Sequence, residues 1–199
     1  MNAISLTLLL ALAGRPVHHV PTTEPQPQAP AAAAPALTDA ELARRVDEYL
    51  GTIDTPITAD EWRALGPRAV APLAAVATDA DALPTRRAKA LGALSILGGA
   101  QSKQVILDTA QSEEAPFAVR ASALRGAGRL LTPSALAKTI SPVLQHAREA
   151  PVRAVAAEVL AGHAGASGCT AVRAQVARES GQAHAQFTRA MARCGAAVP

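Results

Sequence analysis

Arg87-Ala88-Lys89-Ala90-Leu91, Arg120-Ala121-Ser122-Ala123-Leu124 and Arg153-Ala154-Val155-Ala156-Ala157 are three copies of one short phrase, evenly spaced, since 120 − 87 and 153 − 120 are both 33. A period between roughly 20 and 50 residues marks units that cannot bury their apolar faces alone and therefore stack, so the repeat predicts a helical solenoid. Composition agrees. Of the 199 residues 49% are apolar, enough for a substantial core, and nearly all of these are Ala, Val and Leu. Only Tyr49, Trp62, Phe117 and Phe187 are aromatic. That supply suits closely packed helices better than strands, which favour aromatic and β-branched side chains, so the expected class is all-α.

Working outward from the repeat, apolar residues fall at separations of three, four and seven, one buried stripe per helix. First helices of successive pairs show Val70, Leu73 and Ala77; Val105, Ile106 and Thr109; Leu136, Ile140, Val143 and Leu144; and Val172 and Val176. Second helices show Leu91, Leu94 and Leu97; Ala123, Leu124, Ala127 and Leu130; Val152, Val155, Ala156, Val159 and Leu160; and Phe187, Ala190, Met191 and Cys194. Pro84, Pro116 and Pro151 stand where second helices should begin, a position whose N–H needs no helical partner. Gly98, Gly99, Gly162 and Gly165 fall near helix ends, while Pro72 and Pro142 fall inside first helices and should bend them. The reading is an α-solenoid of about four antiparallel helix pairs over residues 66–199.

Ahead of the pairs, residues 38–65 read as capping helices. Thr38 with Glu41 and Thr58 with Glu61 each have capping-box spacing, and Trp62 should be buried as an N-terminal cap. Residues 14–37 hold Pro16, Pro21, Pro25, Pro27, Pro30 and Pro35 among Gln, Thr and Ala, the composition of a disordered tether. Residues 1–13 carry an apolar run, Ile4 to Ala13, ending in Ala11-Leu12-Ala13, a small-x-small pattern that predicts a cleaved secretory signal. Its first residues, Met1-Asn2-Ala3, contribute no Lys or Arg. Ten apolar residues fall short of the roughly 20 needed to span a bilayer, so export to a periplasm or beyond is expected, without stable membrane insertion. No Cys follows the run, which argues against a lipid anchor.

The segment Pro116-Phe117-Ala118-Val119-Arg120-Ala121-Ser122-Ala123-Leu124, echoed by Pro151-Val152-Arg153-Ala154, resembles the motif of HEAT-repeat proteins of the short bacterial type, over about two thirds of the chain. The last pair departs from it, with Gln186 where the repeated Arg would fall, as suits a terminal cap. The resemblance implies a curved stack of antiparallel helix pairs that serves as a binding surface.

Arg87, Arg120 and Arg153 would occupy equivalent positions, with Asp81, Glu114 and Glu149 a few residues before them. They read either as a basic ladder for an anionic ligand or, preferably, as groups bonding acids and helix carbonyl ends within the stack. Cys169 opens the first helix of the last pair and Cys194 closes the second, so a disulfide between them is expected. His163 and His184 lie near those cysteines, but their spacing fits no compact zinc pattern, and His18 and His19 belong to the tether. Phosphate loops, nucleophile elbows and metalloprotease motifs are absent from the sequence, and neither a catalytic residue, a cofactor nor a metal is expected.

The leading functional expectation is an exported, non-enzymatic scaffold that binds another protein, its oligomeric state left open. An alternative is nucleic-acid binding by the basic half. Residues 38–83 hold nine acids and four bases, and residues 84–199 hold fourteen bases and six acids. Export, few aromatics for stacking and the interspersed acids count against that alternative. The resemblance also extends to lyases that attach bilin pigments, a third reading for which no residue here has an assignable role.

Overall fold

Two threonines set where the described chain becomes helical. Thr38 Oγ1 accepts from the Glu41 N–H at 3.3 Å while the Glu41 carboxylate accepts from the Thr38 N–H at 2.8 Å. The same reciprocal box joins Thr58 and Glu61. Each pair satisfies backbone donors that the first turn of a helix would leave open. The structure, a computed structural model, describes residues 37–196. The expected signal (1–13), and the tether (14–37) apart from Leu37, lie outside them.

The described residues form ten α-helices, one 3₁₀ turn and no strand. Helices α1 (Asp39–Gly51) and α2 (Ala59–Ala64) are followed by the 3₁₀ turn Pro67–Ala69, and then by α3 (Val70–Thr78), α4 (Pro84–Leu97), α5 (Gly99–Gln111) and α6 (Phe117–Leu130). The remainder are α7 (Pro133–His146), α8 (Ala150–His163), α9 (Gly165–Val176) and α10 (Gly181–Ala196). Each odd-numbered helix from α3 onward packs on the even one that follows it, and α4 packs on α6, α6 on α8 and α8 on α10. In the other row α3 packs on α5 and α7 on α9, whereas α5 and α7 make no comparable contact.

The apolar stripes are what these contacts bury. Leu73, Leu91, Leu94, Ile106, Leu124, Leu136, Ile140, Leu144 and Leu160 are all fully enclosed, each worth about 2 kcal/mol of apolar transfer. Between them the helices present alanine and glycine, so backbones approach closely. A Cβ on Gly126 would stand 3.2 Å from Ile106 Cδ1, and one on Gly168 would stand 2.3 Å from the Leu160 carbonyl oxygen. At the N-terminal end α1 packs on α3 and α4, and α2 on α4. Trp62 is buried there with its ring edge-on to Tyr49, centroids 5.2 Å apart. Arg86 pairs with Asp47, and Lys89 donates to the Thr52 and Leu50 carbonyls, which fastens α4 to the end of α1.

The prolines sit as their chemistry requires, with one departure from expectation. Pro84 is the first residue of α4, Pro116 immediately precedes α6, and Pro151 is the second residue of α8. Pro142 is interior to α7, but Pro72 falls in the first turn of α3, because the 3₁₀ turn ahead of it delays the α-helix to Val70. Its missing N–H therefore removes no α-helical bond, and the bend expected there loses its cause. A single residue, Gly98, joins α4 to α5 at φ 69°, a conformation that side chains with a Cβ resist.

Gly168 makes a sharp test of backbone contact between α8 and α9. Alanine gains up to about 1 kcal/mol over glycine inside a helix, but overpacking against a backbone carbonyl costs about 1–3 kcal/mol. Gly168→Ala is therefore expected to lower the melting temperature. An unchanged or raised value by calorimetry would show that the two helices are not in contact at this point.

Candidate functional site

Every α-helix leaves its last carbonyls without intrahelical donors, and the repeated arginines meet this need. Arg87 Nε donates to the Ala77 carbonyl near the end of α3 at 3.2 Å, and Arg120 Nε to the Ala110 carbonyl near the end of α5 at 3.0 Å. Arg153 Nη1 donates to the carbonyls of Ala147 and Arg148, just past α7, at 2.8 and 3.1 Å. The three side chains thus tie each second helix to the tail of the first helix of its own pair. A continuous basic ladder is not what they form: Arg120 is 1% exposed, while Arg87 and Arg153 are partly buried.

Their acidic partners differ from those the spacing suggested. Arg120 Nη2 donates to Glu113 at 2.6 Å, where Glu114 was expected. Arg153 meets Glu179 through Nε at 2.7 Å and Nη2 at 2.8 Å, where Glu149 was expected. Among the described residues Arg87 has no acid partner, Asp81 included. The reason is topological. Glu149 is the N-cap residue of α8, only four positions from Arg153. Glu179 arrives from 26 residues away, just beyond α9, and is held there by a Gln175 Nε2 bond at 3.0 Å. Hydrogen bonding to Arg153 holds the Glu179 carboxyl below its ordinary range and raises the arginine in turn. Hydrogen bonding to Arg120 lowers Glu113 likewise.

Cys169 and Cys194 stand at disulfide distance with Cα atoms 5.7 Å apart. Cys169 is in the second turn of α9 rather than at its start, and Cys194 lies in the last turn of α10, so the link spans the two final helices. A disulfide withdraws both thiolates from any ligand set that His163 or His184 could join. His18 and His19 lie outside the described residues.

What the spacing of the repeat did not reveal lies on the exposed side of the even-numbered helices. Across α4, α6, α8 and α10 there are nine Arg and Lys residues and one acid, Glu158. Arg87, Arg120 and Arg153 bond carbonyls at helix ends, and Arg86 pairs with Asp47. The rest line two grooves. One, of about 360 Å³, runs between α6, α8 and α10 past Phe117, Arg125, Glu158, Arg189 and Arg193. The other, of about 370 Å³, lies between α4 and the α1–α2 connection, where Ile53, Ile57, Trp62 and Ile96 meet Lys89 and Arg129. Arg193 pairs with Glu158 at 3.0 Å and Arg129 donates to Ser95 Oγ at 3.0 Å. Arg125 and Arg189 have no acid partner among the described residues. Phe117 is 43% exposed and Ile53 92%. Counting charge by helix instead of by half-chain is the sequence signal that would have found this face.

No protein-family model matches the chain, and no curated protein matches it. Among the described residues no helix is long and apolar enough to cross a membrane.

Two measurements follow from these ties. A carboxylate whose folded value is depressed stabilises the fold fully above its unfolded value, about 4.3 for Glu, and that stability is lost as pH falls through the folded value. Glu179→Gln should therefore flatten the acid limb of the stability profile below about pH 4; a mutant limb as steep as the parent's would remove the Arg153 pair from the account. Separately, closing a loop with a sequence separation of 25 residues stabilises by about 3.5 kcal/mol in the chain-entropy treatment. Cys169→Ser should lose most of that in urea unfolding, and native protein should show no thiol to Ellman titration.

Proposed function

We propose that this chain is a non-enzymatic helical-repeat scaffold whose helix pairs run antiparallel and stack as a solenoid of HEAT type, exported from the cytoplasm, and that it binds an acidic segment of another protein. The regular pair-to-pair packing of α4, α6, α8 and α10, with the 33-residue recurrence of the buried arginine, supports the stacked arrangement. The cysteine pair at disulfide distance suits an oxidising compartment, as does the signal-like start of the sequence. A non-enzymatic role is favoured because the repeat arginines bond carbonyls at helix ends, and Arg120 and Arg153 also hold Glu113 and Glu179.

The observation that carries the binding reading is the exposed face of the even-numbered helices. Arg125 and Arg189 stand without counter-charges around Phe117, in a groove whose floor includes Pro151, Ala154 and Ala190. Cationic side chains flanking an apolar floor are complementary to an extended peptide that carries carboxylates and one or two apolar anchors. Surface charges of this kind speed encounter and set orientation, while the apolar contact supplies residence time.

The test uses a synthetic peptide of alternating Glu and Leu, with a mixed-sequence DNA duplex of equal charge as comparator. Arg125→Glu combined with Arg189→Glu should weaken peptide binding at least tenfold by fluorescence anisotropy, with no change in melting temperature, because neither side chain ties one helix to another. Equal affinity in parent and double variant would refute this face as the docking surface. Tighter binding of the duplex than of the peptide would replace the protein partner with nucleic acid.

A further inference from the structure

A second opening lies on the other row of helices, where α5 and α7 part. It is a cleft of about 760 Å³ bounded by the end of α5, Arg120 of α6 and one side of α7, within the range of small-molecule sites. Three cationic groups, Arg120, Lys138 and Arg148, line it together with His146, against one carboxylate, Glu113. Arg120 is 1% exposed, and its Nη1 is buried with no hydrogen-bond partner. A buried guanidinium N–H left unpaired is costly, so such a group calls for an explanation.

The repeat itself supplies one. Glu179, whose carboxylate saturates Arg153, has two counterparts at the 33-residue period, because 179 − 33 is 146 and 146 − 33 is 113. In the last pair the position facing the repeat arginine holds a carboxylate, bonded by Nε and Nη2 and steadied by Gln175. Nη1 of that arginine is also satisfied, by two carbonyls. One repeat earlier the corresponding position is His146, which brings no carboxylate; Glu113 accepts from Arg120 Nη2 and the Ala110 carbonyl from its Nε, and Nη1 lacks the carbonyls that Arg153 Nη1 meets. The result is an arginine with a donor to spare, at the wall of a cleft that two further cations line.

We propose that this cleft binds a carboxylate, which accepts from the unpaired Nη1 of Arg120 and is flanked by Lys138 and Arg148. The site lies apart from the groove at Phe117, so it stands or falls independently of the docking reading above. The carboxylate belongs either to a free small acid or to an acidic side chain of a protein, and the two sources are separable by experiment.

The measurement is thermal unfolding at fixed ionic strength with sodium succinate, a pentaglutamate peptide, sodium phosphate or sodium chloride as the added salt. Succinate or the peptide should raise the melting temperature with the logarithm of its concentration, by about 5 °C or more at a hundredfold excess over Kd, and chloride should not. Response to succinate identifies a free acid as sufficient, and response to the peptide alone identifies a protein side chain. His146→Glu should restore the missing carboxylate from within: its melting temperature starts above the parent's and no longer responds. Lys138→Gln with Arg148→Gln, at exposed positions, should keep the parent melting temperature and weaken the carboxylate response at least tenfold in concentration. Carboxylates that act no differently from chloride, or an undiminished response in the Lys138/Arg148 variant, would overturn the proposal. A larger rise with phosphate than with either carboxylate at equal concentration would overturn the ligand class.

Discussion

A guanidinium driven from the second helix of a pair into the carbonyl end of the first is the interaction on which this architecture turns. Helices rich in alanine and glycine bury little area per residue, so apolar contact alone defines their mutual register loosely. The carbonyl ends of α3, α5 and α7 are also among the most polar groups that the packing brings inside. Arg87, Arg120 and Arg153 answer both needs, with Nε or Nη1 fixed on a named carbonyl. The energetic return is modest, because taking a charge out of water offsets much of what its bonds contribute. What the arrangement supplies is position: each second helix fits its partner in one register, since any slip leaves a buried cation without acceptors.

Much of this was legible in the sequence because it is encoded locally. Thr38 and Thr58 carry their own capping acids three residues on, the stripes follow helical spacing, and Pro84 and Pro151 announce the helices they begin. The role of the arginines as ties was readable too, since each lies a short turn from the carbonyls it meets. Their acid partners were not. Proximity in sequence favoured Asp81, Glu114 and Glu149, yet Glu179 comes from beyond the following first helix, a distance fixed by how the pairs pack and not by the turn. Pro72 was misplaced for a related reason, because the 3₁₀ turn ahead of it depends on Ala69 and Val70 being drawn into the core beside Leu73. The exposed basic face escaped notice because charge was summed over long segments, which averages α4, α6 and α10, all free of acids, with the acid-bearing helices and turns between them.

The two ends of the described helical array are secured differently from its middle. At the start, α1 and α2 lay Leu42, Val46, Leu50 and Trp62 against α3 and α4, and ion pairs such as Arg86–Asp47 lie outside that cover. At the other end, α9 has only Gly168, Val172 and Gln175 buried, a thin apolar complement for a helix of 12 residues. There the cysteine pair and the Arg153–Glu179 pair take over what a fuller stripe does elsewhere. Position 186, where the repeat would place another arginine, is Gln186, and it lines the basic groove beside Arg189.

Repetition makes exceptions informative, because each position carries its own control one period away. Glu179, which holds Arg153, is packed and silent; where His146 stands one period earlier, Arg120 keeps an unused donor and α5 and α7 make no contact comparable to that of α7 and α9. Neither residue is informative by itself, since a lone partly exposed histidine is commonplace and a buried arginine is usually structural. Set side by side they locate a gap beside Arg120. The cations around that gap, Lys138 and Arg148, are what a simple loss of a glutamate would not explain, because at exposed positions they cost the fold little and favour an anion. A cleft that stabilises the protein only when it is filled couples folding to ligand by mass action.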